Sequence, residues 1–399
     1  MAKTVGILTG GGDVPGLNPA MKMVVLNALE DGYRVLGIRR GWMGLLHYDL
    51  DEPSTHEYYV NELDCIDVRK IDRNGGTFLH TSRTNPQKVK EKDIPDFLVN
   101  SDLGKNLENG TFDYTDHVLK VLDHLNIDIL VTIGGDDTLS YSSRLTKEGF
   151  PTVGIPKTMD NDVPGTDYCI GYSTCVTRTI SLTHALRTTA GSHERFLVIE
   201  VFGRYAGYTA LLPTMAGAAD RCVIPEYKFN VEKLCELLSE DRRSNPSHYS
   251  VALISEGAAF EGEDMIFESE ETDMYGHKKL GGIGDRVSSV LRELSPKYNH
   301  GRWINVINQK LGYLVRCGDP DAIDSIVPMA YGNLALDLVM ENKMGRMVCL
   351  RNGEYDHIPL ETVISYKKRI DLDKYYDRER LRPLYKNFYQ KPFLILTAD

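Results

Sequence analysis

The sequence predicts an α/β protein with mainly parallel sheets, divided between two domains. Three observations carry that reading. Short apolar runs alternate with helical patterns along most of the chain, which specifies parallel strands joined by right-handed helical crossovers. The chain has 399 residues, more than one hydrophobic core usually serves, since single cores stop growing at ~250–300 residues. Apolar residues make up 42% of it, enough for a large core.

Taken in order, strands are expected at Val5–Thr9, Val35–Arg39, Ile129–Ile133, Thr152–Ile155, Phe196–Val201, Val251–Ser255 and Trp303–Ile307. Helices are expected at Asn18–Asp31, Asp116–Leu125, Thr138–Glu148, Thr174–Thr188, Val231–Asp241, Ile283–Glu293 and Pro320–Glu341. No internal repeat or low-complexity tract interrupts this rhythm. Two stretches do. Residues 85–113 are polar and rich in Asn, Gly and Lys, and read as an inserted surface excursion. Residues 365–390 are charged with interleaved tyrosines, and read as a solvated tail laying a few aromatics on the body.

The net charge of −11 argues against a general nucleic-acid or membrane-surface binder. It leaves room for anionic substrates, because a local cluster of cations sets the field in a cleft. The seven cysteines, Cys65, Cys169, Cys175, Cys222, Cys235, Cys317 and Cys349, form no CxxC pair and read as reduced, mostly buried thiols of a cytosolic protein. The first residues are interrupted too soon for a signal peptide. No apolar run is read as nearing the ~18 residues of a membrane span.

Three strand ends carry chemistry. Gly10-Gly11-Gly12-Asp13 follows the first strand and precedes a helix. Glycines let backbone amides approach an anion, and a helix N-terminus adds a positive dipole. The run is neither GxGxxG nor a Walker loop, and a plain tight turn is the alternative. Gly134-Gly135-Asp136-Asp137 repeats the arrangement after Ile129–Ile133. Asp136 there can hold Mg²⁺, which takes one or two carboxylates plus substrate phosphates, while Asp137 also reads as a helix N-cap. Pro156-Lys157-Thr158-Met159-Asp160-Asn161-Asp162 follows Thr152–Ile155. Asp160 and Asp162, two apart in an extended loop, point the same way. One carboxylate can take a proton from an attacking hydroxyl while the other positions a metal or the base, and Lys157 can neutralise phosphate oxygens. A polar surface loop is the alternative. Basic residues recur near other predicted strand ends: His80–Arg83, Arg195, Phe202-Gly203-Arg204 and Lys310–Arg316. Several arginines converging would grip a sugar phosphate, though each alone reads as well as a surface ion-pair residue.

These motifs, in this order from Thr4 to about Glu341, resemble the phosphofructokinase family. The resemblance rests on TGGGDVPGLN (9–18), RRGWMGL (39–45), GGTFLHTSR (75–83), GGDDT (134–138), PKTMDND (156–162), GTDYCIGY (165–172), FGRYAGY (202–208) and ISEG (254–257). It implies two Rossmann-like three-layer domains with the active site in the cleft between them. Residues 1–170 with about 320–365 would bind the donor and Mg²⁺, residues 171–319 would bind fructose 6-phosphate, and 366–399 would be a C-terminal extension. By the same resemblance Asp160 is the general base, with Thr158 and Asp162 as its partners and Asp136 as the Mg²⁺ ligand. Gly11, with Gly12 and Gly135 beside it, meets the transferred phosphoryl, and Arg83 lies near its leaving side. Phe202, Gly203, Arg204 and Glu256 bind the sugar phosphate. Lys310, Tyr313 and Arg316 lie at its 6-phosphate. Arg195 is supplied by a neighbouring subunit, so a homodimer or homotetramer with shared active sites is expected.

Departures from the family pattern bear on the donor. The family's ATP users usually carry glycine where this chain has Asp137, and mostly glycine where it has Lys157, so the pair resembles the pyrophosphate-using branch. Like charges at ~4 Å cost roughly 4 kcal/mol at intermediate dielectric, so Asp137 would repel the α-phosphate of ATP while Lys157 attracts pyrophosphate. Ile307 stands where ATP users usually have arginine, which leaves either Lys310 or Arg302 as the subunit-bridging cation. Of the basic residues with which bacterial ATP users hold effectors, Lys22 and Arg187 remain. Leu26, Asn245 and Ser247 stand at three other positions, and a non-allosteric enzyme is expected.

Overall fold

The computed structural model of the protein describes residues 3–107, 110–272 and 278–390. Its principal strands form two sheets. The first has seven, in the order Glu354–Pro359, Arg346–Arg351, Thr152–Pro156, Ile129–Gly134, Thr4–Thr9, Arg34–Ile38 and Val60–Glu62. The five central strands run parallel, and the two edge strands are antiparallel to their neighbours. The second sheet has four parallel strands, ordered Arg221–Val223, Ser250–Ser255, Phe196–Val201 and Val306–Lys310. Thr4–Thr9, Ile129–Gly134, Phe196–Val201 and Ser250–Ser255 are buried at every residue, as strands covered on both faces must be.

The order of the first sheet positions the site. The chain steps from Thr4–Thr9 outward to Arg34–Ile38, then returns to the other side at Ile129–Gly134. Crossovers diverge between Thr4–Thr9 and Ile129–Gly134, and ligands of open α/β sheets bind outside the carboxyl ends of strands at such a switch point. Both glycine runs seen in the sequence fall there.

Helix Ala322–Met340 is 19 residues long and apolar enough to cross a membrane by length and composition. That corrects the expectation that no run approaches this length. It is a packed helix: a Cβ at Gly332 would lie 2.6 Å from Ala20 O, so it presses on helix Leu17–Glu30. It also carries a buried carboxylate. Asp324 accepts from Tyr168 Oη (2.6 Å), Gly171 N (2.7 Å), and Thr174 N (2.8 Å) and Oγ1 (2.6 Å). Burial raises its pKa to about 6. These bonds fix the start of helix Tyr172–Ser192, which leads into the second sheet.

Other boundaries also move. The last strand of the second sheet is Val306–Lys310, not Trp303–Ile307. Trp303 is exposed beneath the Arg292 guanidinium, and Ile304 N donates to Ser295 Oγ (2.9 Å) instead of to a sheet. Asp137 does not cap its helix. Gly135 is the N-cap and Asp136 the first helical residue. The 85–113 excursion folds into a small sheet of Val89–Lys90, Thr111–Asp113 and Lys105–Asn106, burying Val89, Leu98 and Tyr114 against Leu46.

The largest revision concerns the C-terminal segment, of which residues 391–399 lie outside the described part. Up to residue 390 it lays aromatics on the body as expected, but as a strap rather than a solvated tail. Tyr375, Tyr376, Leu381 and Ile370 are buried. Tyr376 Oη donates to Cys222 O (2.8 Å), and the Arg221 guanidinium to Arg380 O (2.7 Å). All seven cysteines are free, five buried and two exposed, matching the reduced-thiol reading.

Candidate active site

The phosphate-loop candidate closes on the second glycine run. Gly10 N donates to Ile133 O (2.9 Å), which ties the two strand ends together. A Cβ at Gly10 would lie 2.5 Å from Thr138 Oγ1, and one at Gly134 2.3 Å from Thr138 Cβ. Only glycine permits this approach. Gly11 has φ +80°. Its carbonyl accepts from Thr81 Oγ1 (2.7 Å), and its N–H already donates to Ser82 O (2.9 Å). That bond engages the N–H that the resemblance assigns to the transferred phosphoryl, and the missing side chain leaves room beside Lys157, where a Cβ would lie 3.0 Å from Nζ. Gly12 lies under Arg316, where a Cβ would meet the guanidinium at 2.1 Å.

Lys157 forms the floor. It leaves the end of Thr152–Pro156 and its side chain turns under the loop, with Nζ donating to Gly12 O at 2.7 Å. Only 4% of the residue is exposed. Burial pushes the ammonium pKa down to about 7, helped by the nearby Arg316 and Arg83 guanidinium charges and opposed by Asp13 and Asp136. Arg316 donates through Nε and Nη2 to Asp13 O (3.0 and 2.8 Å), and its guanidinium lies over the rings of Phe202 (5.5 Å) and Tyr313 (5.7 Å). Arg316 thus joins a loop of the first sheet to a loop of the second.

Near these cations stands a group of carboxylates. Asp160 Oδ2 faces Arg204 N (3.5 Å), while Oδ1 is buried without a hydrogen-bond partner. Burial raises the Asp160 pKa well above the ordinary range, and the Asp162 and Glu256 charges add to it. Asp162 is raised too, by burial and then by Asp136, against a hydrogen bond from Thr158. Glu256 is raised to about 7, chiefly by burial, with Arg204 pulling it down and Glu200 pushing it up. Close carboxylates with raised pKa values mark functional sites more often than structural ones.

The second sheet brings its share through strand ends. Phe202-Gly203-Arg204 follows Phe196–Val201, and Glu256 follows Ser250–Ser255. Gly203 has φ +121°, and a Cβ at Gly257 would lie 1.9 Å from Arg204 O, so the two loops are in contact. Lys310 pairs with Glu200 (3.2 Å) at the same end. Tyr313 is 76% exposed. Arg83 is exposed near Lys157. Arg195 lies elsewhere: it precedes Phe196–Val201, a six-residue strand, so about 20 Å of strand separates it from Phe202. Arg302 also precedes its strand, on the end away from Lys310.

Two contributors escaped the sequence reading. Asn161, at φ +54°, is fully buried. It donates to Asp167 O (3.0 Å) and accepts from Cys169 N (2.9 Å), which holds the Asp160–Asp162 turn in place. The motif contains it, but an amide between two carboxylates carries no signal of that task. Lys367 places Nζ 3.4 Å from Asp136 Oδ2. Its only signal was the basic run in the C-terminal segment.

Asp136 and Asp162 suit Mg²⁺. The two carboxylates are close enough for the Asp136 charge to raise Asp162, and among the described residues no cluster of three or more His, Cys, Asp or Glu offers a metal site. Two carboxylates completed by phosphate oxygens and water is the coordination Mg²⁺ prefers.

A glycine-lined phosphate loop, a buried lysine beneath it and a carboxylate group near it describe a phosphoryl-transfer site. Comparison with known proteins fixes the family. The phosphofructokinase family model matches residues 4–339. The chain belongs to the phosphofructokinase family. It is 35% identical over 372 residues to a pyrophosphate–fructose 6-phosphate 1-phosphotransferase of Streptomyces coelicolor, covering 92% of this chain and 96% of that one. It is 33% identical over 376 residues to ATP-dependent 6-phosphofructokinase 3 of the same organism, covering 94% and 98%. Among solved structures, the pyrophosphate-dependent phosphofructokinase of Marinobacter aquaeolei matches with a TM-score of 0.71 at 19% identity, covering 96% of this chain and 89% of that one. That structure bears out the fold, two Rossmann-like units with mainly parallel sheets. Phosphofructokinase relatives with either donor therefore lie at similar distance, and the donor has to be argued from the site.

Proposed function

We propose that the protein moves a phosphoryl group from pyrophosphate to O1 of fructose 6-phosphate, giving fructose 1,6-bisphosphate and phosphate. The observation that carries the donor assignment is Lys157, buried and donating to Gly12 O at 2.7 Å. A cation fixed there serves a small, highly charged donor. Asp137, in the first turn of helix Asp136–Lys147, opposes the α-phosphate of a nucleotide. The family relation supports fructose 6-phosphate as acceptor, and the likeness to the pyrophosphate–fructose 6-phosphate 1-phosphotransferase of S. coelicolor supports the donor. The transfer potentials of pyrophosphate and the product ester are comparable, so the reaction runs both ways.

In this reading Asp160 takes the O1 proton. Its raised pKa makes it a stronger base than a solvated carboxylate, and Thr158 and Asp162 position it. Lys157, Arg83 and Arg316 surround the moving charge, with Gly11, Gly12 and Gly135 giving it access. Arg316 is assigned here to the phosphoryl rather than the 6-phosphate, because its guanidinium lies on the Asp13 carbonyl. Asp136, with Asp162 behind it, would hold Mg²⁺, which when bound neutralises donor oxygens and orients them for in-line displacement. Phe202, Gly203, Arg204, Glu256, Lys310 and Tyr313 receive the sugar phosphate. Residues 1–170 with about 320–365 would then form the donor domain and 171–319 the acceptor domain.

Arg195, remote from its own site, would serve a neighbour's in a homodimer or homotetramer. Mixed oligomers of Arg195→Ala and Asp160→Asn subunits should then regain activity that neither variant has, and inactive verified hybrids would contradict sharing. A cytosolic location goes with this activity.

ATP as donor is the second reading. One observation favours it: an open cavity of about 450 Å³ lined by Asp13, Arg39, Arg40, Tyr58, Thr77, His80 and Thr81 lies against the phosphate loop. It gives room beyond a pyrophosphate. Following fructose 1,6-bisphosphate formation by ³¹P NMR with each donor in turn tests the assignment. Product with pyrophosphate supports it, and product with ATP alone replaces it.

A further inference from the structure

The strap crosses the candidate site in a way that no motif anticipates. Short helix Leu360–Ile364 is seated on the first sheet through Leu360 and Val363, which pack with Leu139, Met347 and Ile358. The next residues run past the Asp160–Tyr172 region, and the chain then docks on the second sheet. The residues on either side of Lys367 are anchored. Tyr366 Oη accepts from Gly165 N (2.9 Å). Lys368 is buried, donates to Thr166 O (2.8 Å) and lies 5.3 Å from the Tyr208 ring centre. Tyr208 Oη donates to Arg369 O (3.1 Å), and Ile370 N to Glu226 Oε1 (2.9 Å).

Lys367 sits between these anchors and faces the other way, as the two-residue alternation of an extended segment requires. Its ammonium is 3.4 Å from Asp136 Oδ2 and 5.6 Å from the Tyr205 ring centre. Its side chain is 63% exposed, so this ion pair adds little to stability. A residue with two structural neighbours and no structural task of its own points its charge at the carboxylate proposed to hold Mg²⁺. Asp136 thus has a cation on each side, Lys157 from the floor and Lys367 from the strap.

We infer that Lys367 is a donor-site residue: its ammonium neutralises Asp136 in the free enzyme and turns to the oxygens of an inorganic pyrophosphate once the metal takes that carboxylate. The strap would thereby make donor binding depend on the C-terminal segment. This rests on the pyrophosphate reading above for the identity of the anion, though not for the position of the lysine.

The test compares wild type, Lys367→Ala and Lys367→Arg as full-length enzymes. In Lys367→Ala the KM for Mg²⁺-pyrophosphate should rise roughly tenfold, the scale of one charge-assisted contact to a partly solvated anion. The KM for fructose 6-phosphate and the melting temperature should stay at wild-type values, and Lys367→Arg should recover most of the loss. Binding of Mn²⁺ without donor, read by electron paramagnetic resonance, should tighten in Lys367→Ala because a competitor for Asp136 is gone. An unchanged donor KM would overturn the inference. So would equal losses for both substrates with a lowered melting temperature, which would make Lys367 structural. Should wild type turn over only ATP, the donor assignment fails by itself, and the same KM comparison with Mg²⁺-ATP decides Lys367 independently.

Discussion

The two walls of the cleft are built from opposite charges by opposite means. At the Gly10–Asp13 loop, the cation wall, the cations are held by neutral carbonyls: Lys157 by Gly12 O, and Arg316, reaching over from a loop of the second sheet, by Asp13 O. Their charge is oriented without being cancelled, which suits a site awaiting phosphate. Near them Asp160, Asp162 and Glu256 are buried, and burial raises all three pKa values, with other carboxylates adding to each: Asp162 and Glu256 at Asp160, Asp136 at Asp162, and Glu200 at Glu256. Carboxylates held so are strong proton acceptors. The contrast teaches that one wall is prepared for an anion and the other for a hydroxyl proton, and the first predictions below remove one side of it at a time.

Breaking the carboxylate wall should have the largest effect. Asp160→Asn keeps the shape and removes the base, so kcat should fall ~10²–10⁴-fold, the usual range for general-base loss, with fructose 6-phosphate binding retained. Turnover near wild type would remove Asp160 from the mechanism.

The donor preference of the cation wall should shift next most. Asp137→Gly relieves repulsion against an α-phosphate, and ATP-supported kcat/KM should rise on the order of 10- to 1000-fold if ~1.4 to 4 kcal/mol is relieved. Lys157→Gly should mainly damage pyrophosphate use. Steady-state kinetics with both donors on both variants check this pair.

A subtler signature is pH. The Lys157 ammonium has its pKa lowered to about 7 by burial, so it is charged below that pH and neutral above it in the free enzyme. An anionic donor favours the charged form. Donor affinity should therefore fall as pH rises from 7 to 9, by at most about tenfold per unit, and Lys157→Gly should abolish that slope. The stability sign is the reverse. A depressed lysine pKa gives a contribution present above the unfolded value and lost as pH falls through about 7. An equal slope in wild type and Lys157→Gly would show that another group titrates.

The smallest expected effect lies away from the cleft. Lys22 is held by Asp72 (2.8 Å), and the Arg187 guanidinium is bonded to the Gly217 and Ala218 carbonyls. Both of the basic residues retained at the effector positions are therefore engaged within the chain. ADP or phosphoenolpyruvate at fixed free Mg²⁺ should change half-saturation less than about twofold, within what weak surface charge effects allow. A severalfold shift with sigmoidal kinetics would contradict this.

How far the sequence reveals such a site depends on whether its residues act locally. Gly10–Asp13, Gly134–Asp137 and Pro156–Asp162 were legible because each follows a short buried strand whose end must face the switch point. The strands Phe196–Val201 and Ile129–Gly134 were legible as short, mostly apolar runs. Glu354–Pro359 was not, since it is an exposed edge and its apolar signal is diluted, and its partner Arg346–Arg351, buried over Met347–Leu350, was missed with it. Asp324 and Lys367 act across long sequence separations. Asp324 reaches Gly171 from 153 residues away, and no spacing rule connects them. Arg316 was found from its basic neighbourhood, but its place on the Asp13 carbonyl follows from packing that brings two loops together.

The measurement that tests the central claim most directly is the ratio of kcat/KM for pyrophosphate to that for ATP in the wild-type enzyme, with saturating fructose 6-phosphate and matched free Mg²⁺. A buried Lys157 beneath the phosphate loop and a carboxylate at Asp137 predict a ratio well above one. Efficient turnover with ATP and little or none with pyrophosphate would contradict that account of the cation wall.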